Sequence, residues 1–200
     1  VVASVSRLPQ RLADAPTAVT VIDREMIRGS GARDLNDVFR LIPGFQTYPN
    51  NTEPAKVTYH GMGDGDYSSR VQVLIDGRSM YSPLFDGGVN WATLPVALED
   101  IERIEVIRGP NAAVWGANAV NGVINIITKK AADTQGTLLS AGGGSFEQGF
   151  VGARYGGKIN EETPFRVYAK GFTRDHMGTI SRGNANDAWH SARGGFRLDH

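Results

Sequence analysis

The fold is decided by residues 101–128, which read IERIEVIRGPNAAVWGANAVNGVINIIT. The apolar run Ile104–Ile107 predicts one strand, and Val123–Thr128, rich in β-branched residues, predicts a second. Between them lies a connection rich in glycine and asparagine, which follows Gly109-Pro110 and includes one helical turn that Asn111 is placed to cap. The stretch therefore predicts two strands joined by a turn-rich segment.

Short helices and strands precede this stretch. Thr17–Ile22 predicts a strand, and Asp23 is a suitable N-cap for a short helix that Gly29 and Gly31 end. A second helix carries four apolar residues at the i, i+3, i+4 and i+7 spacing, namely Leu35, Val38, Phe39 and Ile42. We expect that face in the core.

The middle of the chain predicts two more strands. Residues 46–56 have no period and predict a loop, and Val57–His60 predicts the strand after it. The apolar run Val71–Ile75 predicts a central strand buried on both faces, with a tight turn at Asp76-Gly77. Because helices and strands do not alternate regularly, residues up to about 130 predict a compact α+β domain.

From Gly136 onward the sequence predicts strands alone. Phe165–Thr173 and Trp189–Asp199 alternate apolar and polar residues, with a short turn before the first and a long polar loop between them. Short turns at one end and long loops at the other are typical of a transmembrane β-barrel. An ordinary antiparallel sheet with one solvent-exposed face shows the same alternation of apolar and polar residues, so alternation alone leaves both interpretations open.

Composition excludes several classes of protein. The chain has 200 residues, with 21 Lys and Arg against 21 Asp and Glu, so no overall field favours nucleic acid. It has 25 glycines, which indicates many tight turns, and no cysteine, which excludes disulfides and thiolate metal sites. No apolar run approaches the roughly 20 residues of a membrane-spanning helix.

No catalytic constellation is present in the sequence. The histidines lack the helical spacing of a zinc site; they are His60, His176, His190 and His200. Ser145 lacks the final glycine of a nucleophile elbow. The sequence therefore predicts a protein that is not an enzyme, with no metal site and no cofactor.

The order of these segments resembles the plug domain of TonB-dependent outer-membrane receptors. Five segments carry the resemblance, namely APTAVTVI at 15–22, DLNDV at 34–38 with IPGF at 42–45, VLIDGR at 73–78, IERIEVIRGP at 101–110 and WGANAVNGVINIIT at 115–128. The resemblance implies an α+β plug followed by antiparallel strands of an incomplete outer-membrane β-barrel. It implies an N-terminal arm at 1–14, a plug at 15–130 and about four barrel strands at 131–200.

The function implied by this family is TonB-dependent uptake of a scarce ligand, a ferric siderophore, cobalamin or other metal chelate, across the bacterial outer membrane. The plug gates the barrel lumen, and outer-membrane lipid surrounds the barrel. The expected partners are the periplasmic TonB protein and the small ligand, with no nucleic acid. The end of the TonB box is expected at Val1, Val2 and Ala3, since an extended arm suits strand pairing.

Further site residues follow from the resemblance. The expected apical ligand contacts are Tyr48, Asn50, Asn51, Tyr67, Tyr81, Phe85 and Trp91. From the sequence alone, the loop aromatics Tyr81, Phe85 and Trp91 fit a core position as well as a binding surface. Arg108 and His60 occupy the two basic positions that hold the plug to barrel glutamates. Because histidine titrates near neutrality, we expect that lock to depend on pH.

Length favours a fragment of a larger receptor. A plugged barrel of about 22 strands needs several hundred residues, and only residues 131–200 remain for it here. The alternative is a soluble ligand-binding or signalling module that uses the plug fold without transport, and continued alternating strands downstream would exclude it.

Overall fold

The computed structural model describes residues 2, 11–15, 17–48, 56–59, 71–84, 88–117, 119–181 and 183–200. The chain forms two compact units. The first comprises Val1–Tyr48, Pro54–Leu94 and Ile101–Thr128, and the second comprises Pro49–Glu53, Pro95–Asp100 and Lys129–His200.

Strands dominate both units. They are β1 Ala18–Asp23, β2 Phe45–Tyr48, β3 Lys56–Tyr59, β4 Val71–Ile75, β5 Arg78–Ser79, β6 Ile101–Arg108, β7 Gly122–Thr128, β8 Gly136–Gly142, β9 Glu147–Asn160, β10 Thr163–Arg174 and β11 Trp189–Leu198. The helices are α1 Arg24–Gly29, α2 Leu35–Val38 and α3 Ala112–Trp115. Short 3-10 turns cover Leu12–Asp14, Phe39–Leu41, Trp91–Thr93, Leu98–Asp100 and Ala131–Thr134.

The first unit is built on a five-stranded sheet in the order β1-β6-β7-β4-β5. Strands β4 and β7 pair in parallel, and the other neighbours pair antiparallel. The two strands of the deciding stretch, β6 and β7, lie side by side at the centre, where Ile104, Val106, Ile124 and Ile126 are fully buried. The predicted strands are confirmed. Strand β4 lies between β7 and the two-residue edge strand β5, and its residues 71–74 are buried, as expected of a strand covered on both faces.

Two glycines allow β6 and β7 to approach closely where the connection between them begins and ends. Gly109 follows β6 with φ +110, a conformation that favours glycine, and its N–H donates to the Asn121 carbonyl. At Gly122 an added Cβ would lie 2.6 Å from the carbonyl oxygen of Ile107. Any side chain at position 122 would therefore push β7 away from β6.

The helices of the first unit confirm their predicted signals. The Asp23 side chain accepts from the Met26 N–H at 2.9 Å, which caps α1. The four apolar residues of the second helix are all buried, although its last turn tightens from α to 3-10 geometry at Phe39. That face lies in the core, as expected.

One predicted loop is wrong. Residues Phe45–Tyr48 form β2 and pair with β3, Phe45 lying opposite Tyr59 with ring centroids 4.7 Å apart. This cross-strand aromatic pair stabilises a strand that the absence of a clear period in the sequence concealed. Of the predicted loop, residues 49–55 lie outside the described part of the chain.

The second unit contains a four-stranded antiparallel sheet in the order β8-β9-β10-β11. Its strands join in sequence. Strand β10 is longer than the predicted Phe165–Thr173 and is linked to β9 by a turn at 161–162. The apolar face is exposed: Phe196 is 82% and Leu139 74% accessible. On the opposite face Arg166 is only 4% accessible, so the sheet exposes its apolar side and covers its polar side.

Among the described residues, no helix has the length and apolar character needed to cross a membrane.

Candidate functional site

Two of the predicted ligand contacts are exposed at the edge of the first unit. Tyr48 ends β2 and Tyr81 follows β5, and their side chains are 45% and 46% accessible. Neither ring stacks on another ring of the described chain. The predicted contacts Asn50, Asn51, Tyr67 and Phe85 lie outside the described residues.

Trp91 occupies the core, which corrects its assignment to the ligand surface. Its side chain is 7% accessible, and its ring meets Phe39 edge-on with centroids 5.3 Å apart. The indole Nε1 is buried and has no hydrogen-bond partner within the described part of the chain. Packing of this large aromatic ring against Phe39 stabilises the buried position. Of the two positions that the sequence left open, core or binding surface, Trp91 therefore takes the core.

The predicted TonB-box residue Val2 lies in an apolar pocket. It is 1% accessible and packs in a cluster with Leu74, Ile107, Ala119 and Val123. Burial of a valine of this size contributes about 1.5–3 kcal/mol. The pocket therefore anchors this point of the N-terminal arm, while Val1 and Ala3 lie outside the described residues.

Arg108 ends β6 and is partly buried. Its backbone pairs with Ala18 on one side and Gly122 on the other. Its Nε is buried without a hydrogen-bond partner, and no carboxylate within the described part of the chain pairs with the guanidinium. The second predicted lock residue, His60, lies outside that part.

A charged cluster that the sequence did not reveal lies in the second unit, at the 3-10 turn Leu98–Asp100. The Asp100 carboxylate is 3% accessible and receives Arg154 Nη1 at 2.6 Å, while Arg166 Nε lies 3.6 Å from its second oxygen. Arg166 also donates to the Lys129 carbonyl at 2.7 Å. Two arginines of the sheet therefore share one buried carboxylate, an arrangement that we call the acidic clamp.

Glu99 extends the acidic clamp by one residue. Its Oε1 lies 2.9 Å from Lys170 Nζ, and its carbonyl accepts from Lys129 Nζ at 2.5 Å. Burial opposes ionisation of Glu99, but a hydrogen bond from its own backbone and the Lys170 ammonium outweigh that effect, so the pKa of Glu99 is lowered. The turn thus presents two carboxylates, those of Glu99 and Asp100, to the polar face of the sheet.

The spacing of the acidic residues in the sequence does not reveal the clamp. Glu99, Glu102 and Glu105 recur every third residue across a helix-to-strand change, and the structure does separate them: Glu105 is fully buried and pairs with Arg103 at 2.8 Å. The available signal was the alternation of β10, which puts Arg166 and Lys170 on one face. Basic side chains on a buried face need carboxylate partners, and when the strands themselves do not supply them, another segment of the chain must.

A small cavity of about 20 Å³ adjoins the acidic clamp, lined among others by Ser140, Arg154 and Tyr168. That volume is enough for about one water molecule. The described residues contain no group of three or more His, Asp or Glu side chains arranged to hold a metal ion.

Comparison with protein families decides the assignment. The family model described as TonB-dependent Receptor Plug Domain matches residues 11–123, more than half of the chain. The chain belongs to this family. Its members are receptors rather than enzymes, and their location is the bacterial outer membrane.

Two curated relatives of this TonB-dependent receptor chain come from Vibrio. The vitamin B12 transporter BtuB of Vibrio vulnificus is 35% identical over 150 residues, which cover 74% of this chain and 23% of that protein. The iron-regulated outer membrane virulence protein of Vibrio cholerae is 38% identical over 126 residues, covering 60% of this chain and 18% of that protein. The match therefore spans about a quarter or less of these relatives.

A solved receptor shares the fold over nearly the whole chain. The ferric yersiniabactin uptake receptor FyuA of Yersinia pestis superposes with a TM-score of 0.67 at 20% identity, covering 91% of this chain and 28% of that one. The chain matches the plug and part of the barrel of such receptors, and its own four antiparallel strands are not closed into a barrel. The five-stranded sheet belongs to the plug, and β8–β11 correspond to barrel strands.

Proposed function

We propose that this chain is part of a receptor that takes up a scarce metal chelate, a ferric siderophore or cobalamin, across the outer membrane in a TonB-dependent manner. Membership of the plug family supports this proposal. In it, residues 15–130 act as the plug that gates the lumen, residues 131–200 supply barrel strands, and residues 1–14 form the arm.

The observation that carries the proposal is the polarity of the four-stranded sheet. Val151, Tyr155 and Phe196 are 63%, 53% and 82% accessible on its apolar face, whereas the opposite face holds the acidic clamp. In water such a face favours association, while in lipid it is the outer surface of a membrane strand. The polarity supports transport over a soluble module.

Deletion of the receptor gene tests the proposal. We expect the deletion strain to lose growth on an iron chelate or on cobalamin when that nutrient is limiting, and the receptor carrying this chain to restore it. Uptake of radiolabelled chelate should require TonB. Normal growth and uptake in the deletion strain on every tested chelate would contradict the proposed function.

We propose that Tyr48 and Tyr81 contact the ligand, together with Asn50, Asn51, Tyr67 and Phe85. Their exposure supports this for the two described tyrosines. Tyr48→Ala and Tyr81→Ala should each lower affinity about fivefold to thirtyfold, since an exposed aromatic contact contributes about 1–2 kcal/mol. Tyr155→Ala is the matched control, because that tyrosine is similarly exposed on the apolar sheet face.

We also propose that Val1, Val2 and Ala3 pair with TonB and that Arg108 and His60 hold the plug. Val2 is buried, so pairing through this segment requires that Val2 first leaves its pocket. The absence of a carboxylate beside Arg108 in the described part of the chain supports a partner elsewhere in the receptor. Plug retention that is unchanged by His60→Arg and by pH between about 5 and 8 would contradict the role of His60.

A further inference from the structure

The acidic clamp contains two buried polar atoms that its ion pairs do not satisfy. Asp100 Oδ1 accepts from Arg154 Nη1 at 2.6 Å, whereas Asp100 Oδ2 and Arg154 Nε have no hydrogen-bond partner among the described residues. Arg166 Nε lies 3.6 Å from Asp100 Oδ2, which is too far for a hydrogen bond. Buried polar atoms in native proteins almost always bond to the protein or to an ordered water, so these two atoms indicate a further partner.

The chain itself closes off both atoms. Asp100 Oδ2 and Arg154 Nε are shielded from solvent within these 200 residues. A side chain from another part of a longer receptor cannot reach an atom that solvent does not reach. The partner of the two atoms therefore has to fit inside the second unit.

The small cavity beside the clamp provides the space. Its volume is about 20 Å³, and its lining includes Asp100, Arg154, Ser140 and Gly152. Gly152 keeps this space open, because a Cβ added there would lie 2.7 Å from Ser140 Oγ. The Ser140 hydroxyl thus adjoins the cavity as a third polar group. A volume of this size holds about one water molecule.

The chemistry of the lining selects a neutral molecule. The Nε–H of Arg154 needs an acceptor, the Asp100 carboxylate oxygen needs a donor, and the Ser140 hydroxyl can act as either. A metal cation cannot accept a hydrogen bond from Arg154, and Lys170, which also lines the cavity, would repel it. An anion cannot donate to Asp100, and Glu99 in the lining would repel it. Water both donates and accepts, and buried waters make about three hydrogen bonds.

We propose that one water molecule is bound in this cavity as a structural part of the acidic clamp. It accepts from Arg154 Nε, donates to Asp100 Oδ2 and makes its third hydrogen bond with Ser140 Oγ. Arg154 and Asp100 are thus joined twice, once directly and once through the water. This inference goes beyond the proposed uptake function, because it concerns the fold whichever ligand the receptor carries.

A high-resolution crystal structure of the full-length receptor tests the site directly. We expect a separate peak of electron density about 2.7–3.2 Å from both Arg154 Nε and Asp100 Oδ2. In the double variant Ser140→Ala, Gly152→Ala, a methyl group fills this space, and the peak should be missing. Ordered clamp side chains without a peak in the wild type, or Arg154 Nε donating directly to Asp100, would overturn the inference.

Urea unfolding of two double variants tests whether the water stabilises the clamp. Both carry Ser140→Ala, which removes the hydroxyl that a Cβ at position 152 would meet. With it, Gly152→Ala excludes the water and supplies no polar atom, whereas Gly152→Ser puts a hydroxyl in place of the water. We expect the variant with Gly152→Ala to unfold at about 1 M lower urea, because it alone leaves the buried hydrogen bonds unmade.

Gly149→Ala is the control on the same strand. An added Cβ there meets only the Gly142 carbonyl oxygen, at an ordinary 3.9 Å. We expect its urea midpoint to stay unchanged or to rise slightly, because alanine restricts the unfolded chain more than glycine does. Equal midpoints for the two double variants would overturn the inference, and neither measurement depends on whether the receptor transports a chelate.

Discussion

Replacing Asp100 with asparagine should weaken the acidic clamp strongly. The side chain is 3% accessible, and the two arginines that share it, Arg154 and Arg166, are 15% and 5% accessible. Removing one partner of a buried pair leaves uncompensated charge and costs about 3–5 kcal/mol. Because the asparagine oxygen can still accept a hydrogen bond from Arg154, we expect the unfolding free energy to fall by an amount near the lower end of this range, about 3 kcal/mol.

Urea unfolding of the purified receptor in detergent measures this loss. With an m-value of about 1–3 kcal/mol per molar, a loss of 3 kcal/mol moves the midpoint down by about 1–3 M. Glu161→Gln is the matched control, because it removes a carboxylate that is 91% accessible and paired with Lys158. That exposed pair contributes about 0–1 kcal/mol, so its removal should barely move the midpoint.

A double-mutant cycle with Arg154→Gln tests whether the loss comes from the pair itself. If Asp100 and Arg154 stabilise each other, the double variant should lose clearly less than the two single losses added together. Strict additivity, or a midpoint in Asp100→Asn equal to that of Glu161→Gln, would refute the reasoning.

Three further changes probe other parts of the chain. Val2→Asp puts a carboxylate into an apolar pocket and should free the arm, seen as increased mobility of a spin label there, whereas Val2→Ile should not. Gly122→Ala places a Cβ 2.6 Å from the Ile107 carbonyl and should destabilise by about 1–3 kcal/mol in chemical unfolding, while Gly29→Ala, in open space, should not. The pKa of Glu99 is lowered below 4.5 in the folded protein, so its ionised form stabilises the fold fully above pH 4.5. This stabilisation is lost as the pH falls through the pKa that Glu99 has in the folded protein. The difference in unfolding free energy between the wild type and Glu99→Gln should therefore vanish in that pH range.

Local signals predicted the plug well. Asp23 caps its helix and the Asp76-Gly77 turn has positive φ at both residues, because capping and turn chemistry depend on a few neighbouring residues. Strand β2 escaped prediction because its stability comes from Phe45 against Tyr59, a pairing between segments 14 positions apart that no local period records.

The site was harder to predict because its residues meet through tertiary structure. Trp91 sits in the same irregular stretch as Tyr81, yet one is buried on Phe39 and the other is 46% accessible. Composition of a loop does not fix which side chain turns inward. The acidic clamp joins Asp100 to Arg154 across 54 positions, so only the folded chain shows the pair.

The acidic clamp offsets a contact between like charges within the four-stranded sheet. The sheet carries Lys170 and Arg193 directly opposite each other, a repulsive pair, and the carboxylate that offsets it comes from Glu99 on a separate segment. Glu99 neutralises Lys170 and so removes the repulsion at this position. The carboxylate comes from a segment far from both strands in the sequence, and the strict alternation of the strands therefore predicts the basic face but not the group that compensates it.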